Sequence, residues 1–168
     1  QGTTITIDAP ITCAIEKRWG GGEVLKYDDT GRIEKVGVEN HRAMSEFDPT
    51  KVLMDRAGIE GINPHRFELS LLDEIVFEDM VDVRAVAVHH VRHDEFWVRG
   101  HFPGYPLMPG VVVCECAAQL CCYVAGRSGV YETGVIALGG LDEVRFRGGV
   151  RPGDELLIML NRVKFRFN

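Results

Sequence analysis

The sequence lacks an excess of positive charge, and that excludes the simplest kind of nucleic-acid partner. Its 19 Lys and Arg stand against 25 Asp and Glu, a net charge of −6, which argues against non-specific binding to a phosphate backbone. No internal repeat or low-complexity tract runs through it, so a repeat architecture is excluded. No stretch has the pattern of a secretory leader. Gln1-Gly2, without a Met, reads as the scar of a trimmed expression tag. The longest apolar run, over 111–125, is too short to cross a bilayer as a helix, and Glu115 sits in its middle. The cysteines lack the even number of a disulfide framework. Of five, Cys114, Cys116, Cys121 and Cys122 crowd into that one run. Neighbours on one helix are badly placed to cross-link, which points to a reducing, cytoplasmic setting. Cys114 and Cys121 share a helical face, but no second Cys or His pair stands at ligand spacing. They read as small, soft core side chains, with no metal site.

What is present is a chain of 168 residues, 45% apolar, enough for one domain with a real core and an extension. Short strands are expected at Thr4–Asp8, Ile11–Glu16, Glu23–Tyr27 and Ile33–Val38, the last two flanking the tight-turn sequence Asp28-Asp29-Thr30-Gly31. Asp48-Pro49 reads as a helix start, giving a short helix over Thr50–Ala57 that Gly58 ends. Residues 61–64 form a loop at the boundary between extension and core. The expected domains are therefore 1–58, the extension, and 59–168. Further strands are expected at Leu69–Phe77, Val81–Val88, Glu95–Arg99, Val135–Leu138 and Glu143–Phe146. A long strand follows the turn Arg151-Pro152-Gly153-Asp154. The run from Val111 is apolar nearly all round, which predicts a buried helix. One long helix among many strands gives an α+β fold with an antiparallel sheet wrapped around that helix.

The chemistry concentrates between Arg99 and Ala125. A carboxylate inside an apolar helix is costly, and burial favours its neutral form, which makes Glu115 a candidate proton donor. His101 lies in a Gly/Pro-rich loop and can exchange a proton near neutral pH. The helix start at Gly110-Val111 leaves backbone N–H groups pointing outward, suited to a carbonyl oxygen that gains charge. Gln119, one turn beyond Glu115, is placed to orient its carboxyl. An acid, a base and an oxyanion donor fit proton abstraction beside a carbonyl with loss or gain of water. A lone loop histidine is more often structural; the buried glutamate is harder to dismiss. His89, His90 and His93 invite a metal reading, but a solvent-exposed strand flank explains them more simply.

Those residues resemble a known family. The stretch His101-Phe102-Pro103-Gly104, then Pro106, Pro109-Gly110-Val111, Glu115 and Gln119, is similar to the signature of β-hydroxyacyl-acyl-carrier-protein dehydratases of the FabZ type, in the hot-dog fold. Asn63-Pro64-His65-Arg66-Phe67 and Gly140-Leu141-Asp142-Glu143 resemble two more of its segments. The likeness covers roughly residues 60 to 160 and implies His101 and Glu115 as the catalytic pair. It implies Gly110, Val111, Phe102, Tyr105, Met108 and Gln119 at the substrate, with Leu107 as a further tunnel wall. Arg145, Arg147 and Arg151 would meet an acidic carrier protein. The implied reaction takes a β-hydroxyacyl thioester to the trans-2-enoyl thioester. No cofactor is implied beyond the phosphopantetheine that carries the substrate.

The family builds its site between two subunits and assembles dimers, often three into a hexamer. It also continues past the last strand with a further hairpin, so the chain is expected either to be cut short or to fill that edge from residues 3–38. Two alternatives remain at this point: a coenzyme A thioester hydratase or thioesterase of the same fold, and a non-catalytic acyl-binding or assembly subunit.

Overall fold

The computed structural model describes residues 5–8, 11–16, 25–27, 33–35, 51–129, 136–138, 140–141, 144–146, 148–160 and 164–167. Its strands are β1 (Ile5–Asp8), β2 (Ile11–Glu16), β3 (Leu25–Tyr27), β4 (Ile33–Lys35), β5 (Met54–Asp55), β6 (Glu74–Asp79), β7 (Arg84–His90), β8 (Glu155–Leu160) and β9 (Lys164–Phe167). Two α-helices are described, α1 (Arg56–Glu60) and α2 (Gly110–Arg127), with a 3-10 turn at Phe67–Leu69. Five strands form one antiparallel sheet in the order β2-β8-β7-β6-β5. Two further antiparallel pairs join β1 to β9 and β3 to β4. The architecture is the α+β hot-dog arrangement, with one long helix clasped by the sheet.

The helix lies against β7 and β8 and touches β2. Small side chains permit this close approach: Ala85 and Ala87 on the sheet and Cys116 and Ala117 on the helix are all buried. Ile75, Leu156, Ile158, Leu120, Tyr123 and Val124 complete that core. The opposite face of the sheet is apolar too, where Val76, Val86, Val88 and Leu157 form a second cluster. Strand β7 is thus apolar on both faces, as a central strand covered on both sides should be. Strand β2 pairs with β8 over six residues, Ile11 opposite Leu160 through Glu16 opposite Glu155. The leading part of the chain therefore supplies one edge of the main sheet.

Several boundaries differ from those expected. The short helix begins at Arg56, not Thr50, because Met54 and Asp55 pair with β6 and the Asp55 carboxylate caps the helix by accepting from the Gly58 N–H at 2.9 Å. Gly58 lies inside α1 and Gly61 follows it; Asp48-Pro49 falls outside the described residues. Strand β6 starts at Glu74, since the 3-10 turn occupies Phe67–Leu69. Strand β7 starts at Arg84, after a turn. The Asp79 carboxylate accepts from the Val81 and Asp82 N–H groups, and Val83 takes a left-handed φ of 52°. Val81 is consequently 93% exposed. Residues 95–99 form consecutive turns with no strand, closed by bonds from Val98 N–H to Glu95 O and from Gly100 N–H to Trp97 O. Residues 136–138 and 144–146 carry no strand, and the rest of those two segments lies outside the description.

Helix α2 is not buried all round. Val111 is 76% exposed, and Cys114, Glu115, Ala118 and Cys121 continue an incompletely buried stripe at helical spacing. By length and composition α2 would pass for a short membrane span; here it is the core helix of a sheet.

Candidate active site

Two adjoining elements carry the candidate groups: the turn-rich segment leading to Pro109, and the first turns of α2. In the first, the His101 N–H bonds to Trp97 O at 2.8 Å, and the His101 carbonyl accepts from the Leu107 N–H at 2.8 Å. Phe102 and Tyr105 exchange backbone bonds of 3.1 and 2.9 Å. Gly104 turns this corner at φ 75°, a conformation that favours glycine. The His101 ring stacks on Phe102 at 4.1 Å, and its Nδ1 lies 2.6 Å from Leu107 O. A carbonyl oxygen only accepts, so Nδ1 carries a proton and in the neutral ring the lone pair is on Nε2. That tautomer presents a base.

In the second element, Pro109 precedes α2 with extended ψ and no side chain caps the helix. The Val112 and Val113 N–H groups both bond to Pro109 O, at 2.9 and 3.3 Å. Among the described residues the Gly110 and Val111 N–H groups have no acceptor, so the helix opens on two free donors at its positive end. A side chain at Gly110 would come within 2.7 Å of the Phe146 ring. Glycine here permits that aromatic lid to approach.

Glu115 stands on the incompletely buried stripe, with its side chain 32% exposed. The burial expected of it from sequence is therefore only partial within one chain. Its Oε1 accepts from Gln119 Nε2 at 2.8 Å and lies 3.4 Å from His65 Nε2. Gln119 is almost fully buried and ties α2 to the chain before β6: its Nε2 also donates to Leu69 O at 2.8 Å and its Oε1 accepts from the Leu71 N–H at 3.1 Å. Among the described residues no hydrogen bond or ion pair joins His101 to Glu115 in one chain.

The remaining candidates are placed as follows. Phe102, Tyr105 and Val111 are exposed apolar side chains, whereas Met108 belongs to the buried core. Leu107 reaches toward Gly149. Arg145 is exposed; Arg151 is also exposed, with its guanidinium 4.2 Å above the Tyr105 ring and a hydrogen bond to the Tyr105 hydroxyl. Arg147 lies outside the described residues.

The histidine cluster departs from expectation. His89 is fully buried, because alternation along β7 turns it away from His90 and onto Asp73, with Nδ1 3.2 Å from Asp73 Oδ2. Arg56 and Arg92 also bind Asp73, and Arg92 binds the buried Glu95 at 2.8 Å. Burial acts to raise the Asp73 carboxyl, yet hydrogen bonds from His89, Arg56 and the His90 N–H outweigh it and hold the group well below the usual carboxylate range. His90 stands between Glu74 and Glu155, and His93 is exposed.

From sequence, His65 stands inside a family-like segment with no assigned task. Its neighbour Pro64 and the buried Asn63 were the only local signal, since its partner Glu115 is fifty residues away along the chain.

Comparison with known proteins identifies the family. The FabA-like domain matches residues 63–166. A bifunctional enzyme LpxC/FabZ of Chlorobaculum tepidum is 39% identical over 138 residues, 81% of this chain and 28% of that longer protein. A 3-hydroxyacyl-[acyl-carrier-protein] dehydratase FabZ of Hydrogenobaculum sp. is 39% identical over 115 residues, 67% of this chain and 77% of its own length. The protein of the same name from Francisella philomiragia is 37% identical over 133 residues, covering 72% and 81%. The chain therefore belongs to the FabA-like family and is of its FabZ type.

Proposed function

We propose that this chain is a hydro-lyase that dehydrates 3-hydroxyacyl thioesters, carried on acyl carrier protein, to trans-2-enoyl thioesters in fatty-acid synthesis. The observation that carries the reading is the start of α2, where two free N–H donors and the Glu115 carboxyl share one helix end. The thioester carbonyl would accept from the Gly110 and Val111 N–H groups, which stabilise the negative charge that grows on oxygen as the α-proton leaves. His101 Nε2 takes that proton. The C–H electron pair becomes the new double bond, Glu115 gives its proton to the 3-hydroxyl, and water departs. The substrate loses water without net oxidation or reduction, so base and acid suffice and the reading calls for no cofactor.

His101 and Glu115 do not meet within one chain, and the stripe that carries Glu115 is flanked by exposed Val111. In this reading the base comes from one copy and the acid from another, in a dimer or a trimer of dimers. Phe102, Tyr105 and Val111 line the acyl path, Met108 supports it from the core, and Gln119 orients the acid. Arg145, Arg147 and Arg151 face the acidic carrier. Residues 1–58 act as an extension to a hot-dog domain over 59–168, and an acyl carrier protein substrate suits the cytoplasm.

Hydration of crotonyl thioester tests this. His101→Ala and Glu115→Gln should each lower the rate on the order of a hundredfold or more. Mixing the two variants should restore about a quarter of wild-type activity, since random re-pairing gives mixed dimers one intact site. Rates within about threefold of wild type for either single variant would sink the reading.

A further inference from the structure

We propose that His65 is a positioning residue for Glu115: its Nε2–H holds the carboxyl by Oε1, so that Oε2 alone is presented to the departing hydroxyl. The inference rests on the dehydratase reading and adds a residue to it.

The first support is convergence. Two donors reach the same oxygen, Gln119 Nε2 at 2.8 Å and His65 Nε2 at 3.4 Å. Among the described residues Oε2 has no partner, and no other cation stands within ion-pair distance of the carboxyl. A neutral acid whose Oε1 accepts the Gln119 hydrogen bond and faces His65 Nε2 carries its proton on Oε2. The second support is the state of the ring. His65 Nδ1 is buried with no hydrogen-bond partner. A buried N–H without an acceptor is costly, so the proton is assigned to Nε2, which faces the glutamate.

The third support is rigidity. The buried Asn63 donates its side-chain Nδ2 to Gln119 O at 2.9 Å, and its own N–H bonds to Ile59 O at 2.7 Å. Arg66 Nη1 closes the loop on Asn63 O and His65 O, at 2.7 and 2.6 Å. The loop that carries His65 and the helix that carries Glu115 are thereby locked at Gln119. When Oε2 passes its proton to the 3-oxygen, the C–O bond breaks and water leaves. The charge left on the carboxylate is met at Oε1 by two N–H dipoles already in place.

The test compares two leaving groups with the intact protein. From a 3-hydroxybutyryl thioester the oxygen needs a proton to leave; from a 3-chlorobutyryl thioester chloride leaves without one, while the α-proton still goes to the base. His65→Leu should lower kcat on the hydroxy substrate by about tenfold or more with KM within about threefold, and change chloride elimination by less than about twofold. His65→Gln keeps an N–H at similar reach and should return kcat to within about threefold of wild type. His65→Asn, polar but too short, should behave like Leu and replaces it if that variant does not fold. Equal losses on both substrates, or no loss on the hydroxy substrate, would overturn the assignment. A wild-type protein that turns over neither substrate would overturn the dehydratase reading itself.

Discussion

The two ends of helix α2 are built on opposite rules. At its start Val111 is exposed and, among the described residues, two N–H groups lack acceptors and Glu115 keeps one oxygen free. At its end Leu120, Tyr123, Val124 and Ala125 have essentially no exposure. There the Tyr123 hydroxyl donates to Glu78 Oε2 at 2.7 Å while Arg127 grips both oxygens of the same carboxylate, at 2.7 and 3.2 Å. One end leaves polar groups unmet where a substrate can meet them; the other satisfies them beside a fully buried apolar core. The difference shows how one rod can serve both as the main core element and as the scaffold of a site. Stability is concentrated where chemistry is absent, and the reactive end is free to carry unsatisfied groups.

That contrast can be broken by experiment. The largest effect is expected at the closed end: Leu120→Ala removes a fully buried side chain and should cost about 2–5 kcal/mol by denaturant titration. Turnover per folded molecule should stay near wild type. A loss of specific activity without a loss of stability would mean that the two ends are not separate. At the open end, Gly110→Ala adds a methyl group within 2.7 Å of the Phe146 ring, next to a free donor. It should lower kcat/KM by roughly tenfold while the melting temperature moves little.

The smallest effect is Tyr123→Phe, about 1–2 kcal/mol at pH 7, because the lost bond runs to a charged acceptor. Its pH dependence sharpens the comparison. The Arg127 hydrogen bond, working against burial and helped by Tyr123, holds the Glu78 carboxyl below its ordinary 4.5. Its contribution is complete above that pH and fades as pH falls through the lower folded value. Burial and Glu78 push the Tyr123 hydroxyl upward from 10.0, so its contribution is complete below that pH and fades as pH rises through the higher folded value. The stability difference between wild type and Tyr123→Phe should therefore be flat from about pH 5 to 9 and shrink below about pH 4. A difference that persists in strong acid would assign the tyrosine's contribution to packing instead.

The reactive end was more legible in the sequence than much of the sheet. His101, Gly104, Gly110 and Glu115 lie within fifteen residues, and each is an odd choice for its surroundings unless it does chemistry. The strand starts were harder. Val81 and Val83 continue the alternation of β7 on paper, yet the Asp79 carboxylate folds them into a turn. The sequence hides the burial of His89 because its partner, Asp73, comes from the approach to another strand, and pairing across a sheet leaves no mark at either position alone. Cys114 and Cys121 read as core from sequence, since an apolar side chain looks the same whether a sheet or another molecule covers it. The pairing of β2 with β8 was foreseeable only as a vacancy to be filled, because register between distant strands is set by contacts rather than by composition.

The bonds of the base itself are short-range: those of His101 run to Trp97 and Leu107, and those of Phe102 to Tyr105, while Met108 and Tyr105 anchor the segment to Val150 and Arg151. The acid depends instead on Gln119, whose partners lie about fifty residues upstream. The tautomer of the base is thus written locally, by a carbonyl six residues along the chain. The glutamate is not transferable without the whole barrel of contacts that surrounds it, and that asymmetry makes the acid the costlier half to redesign.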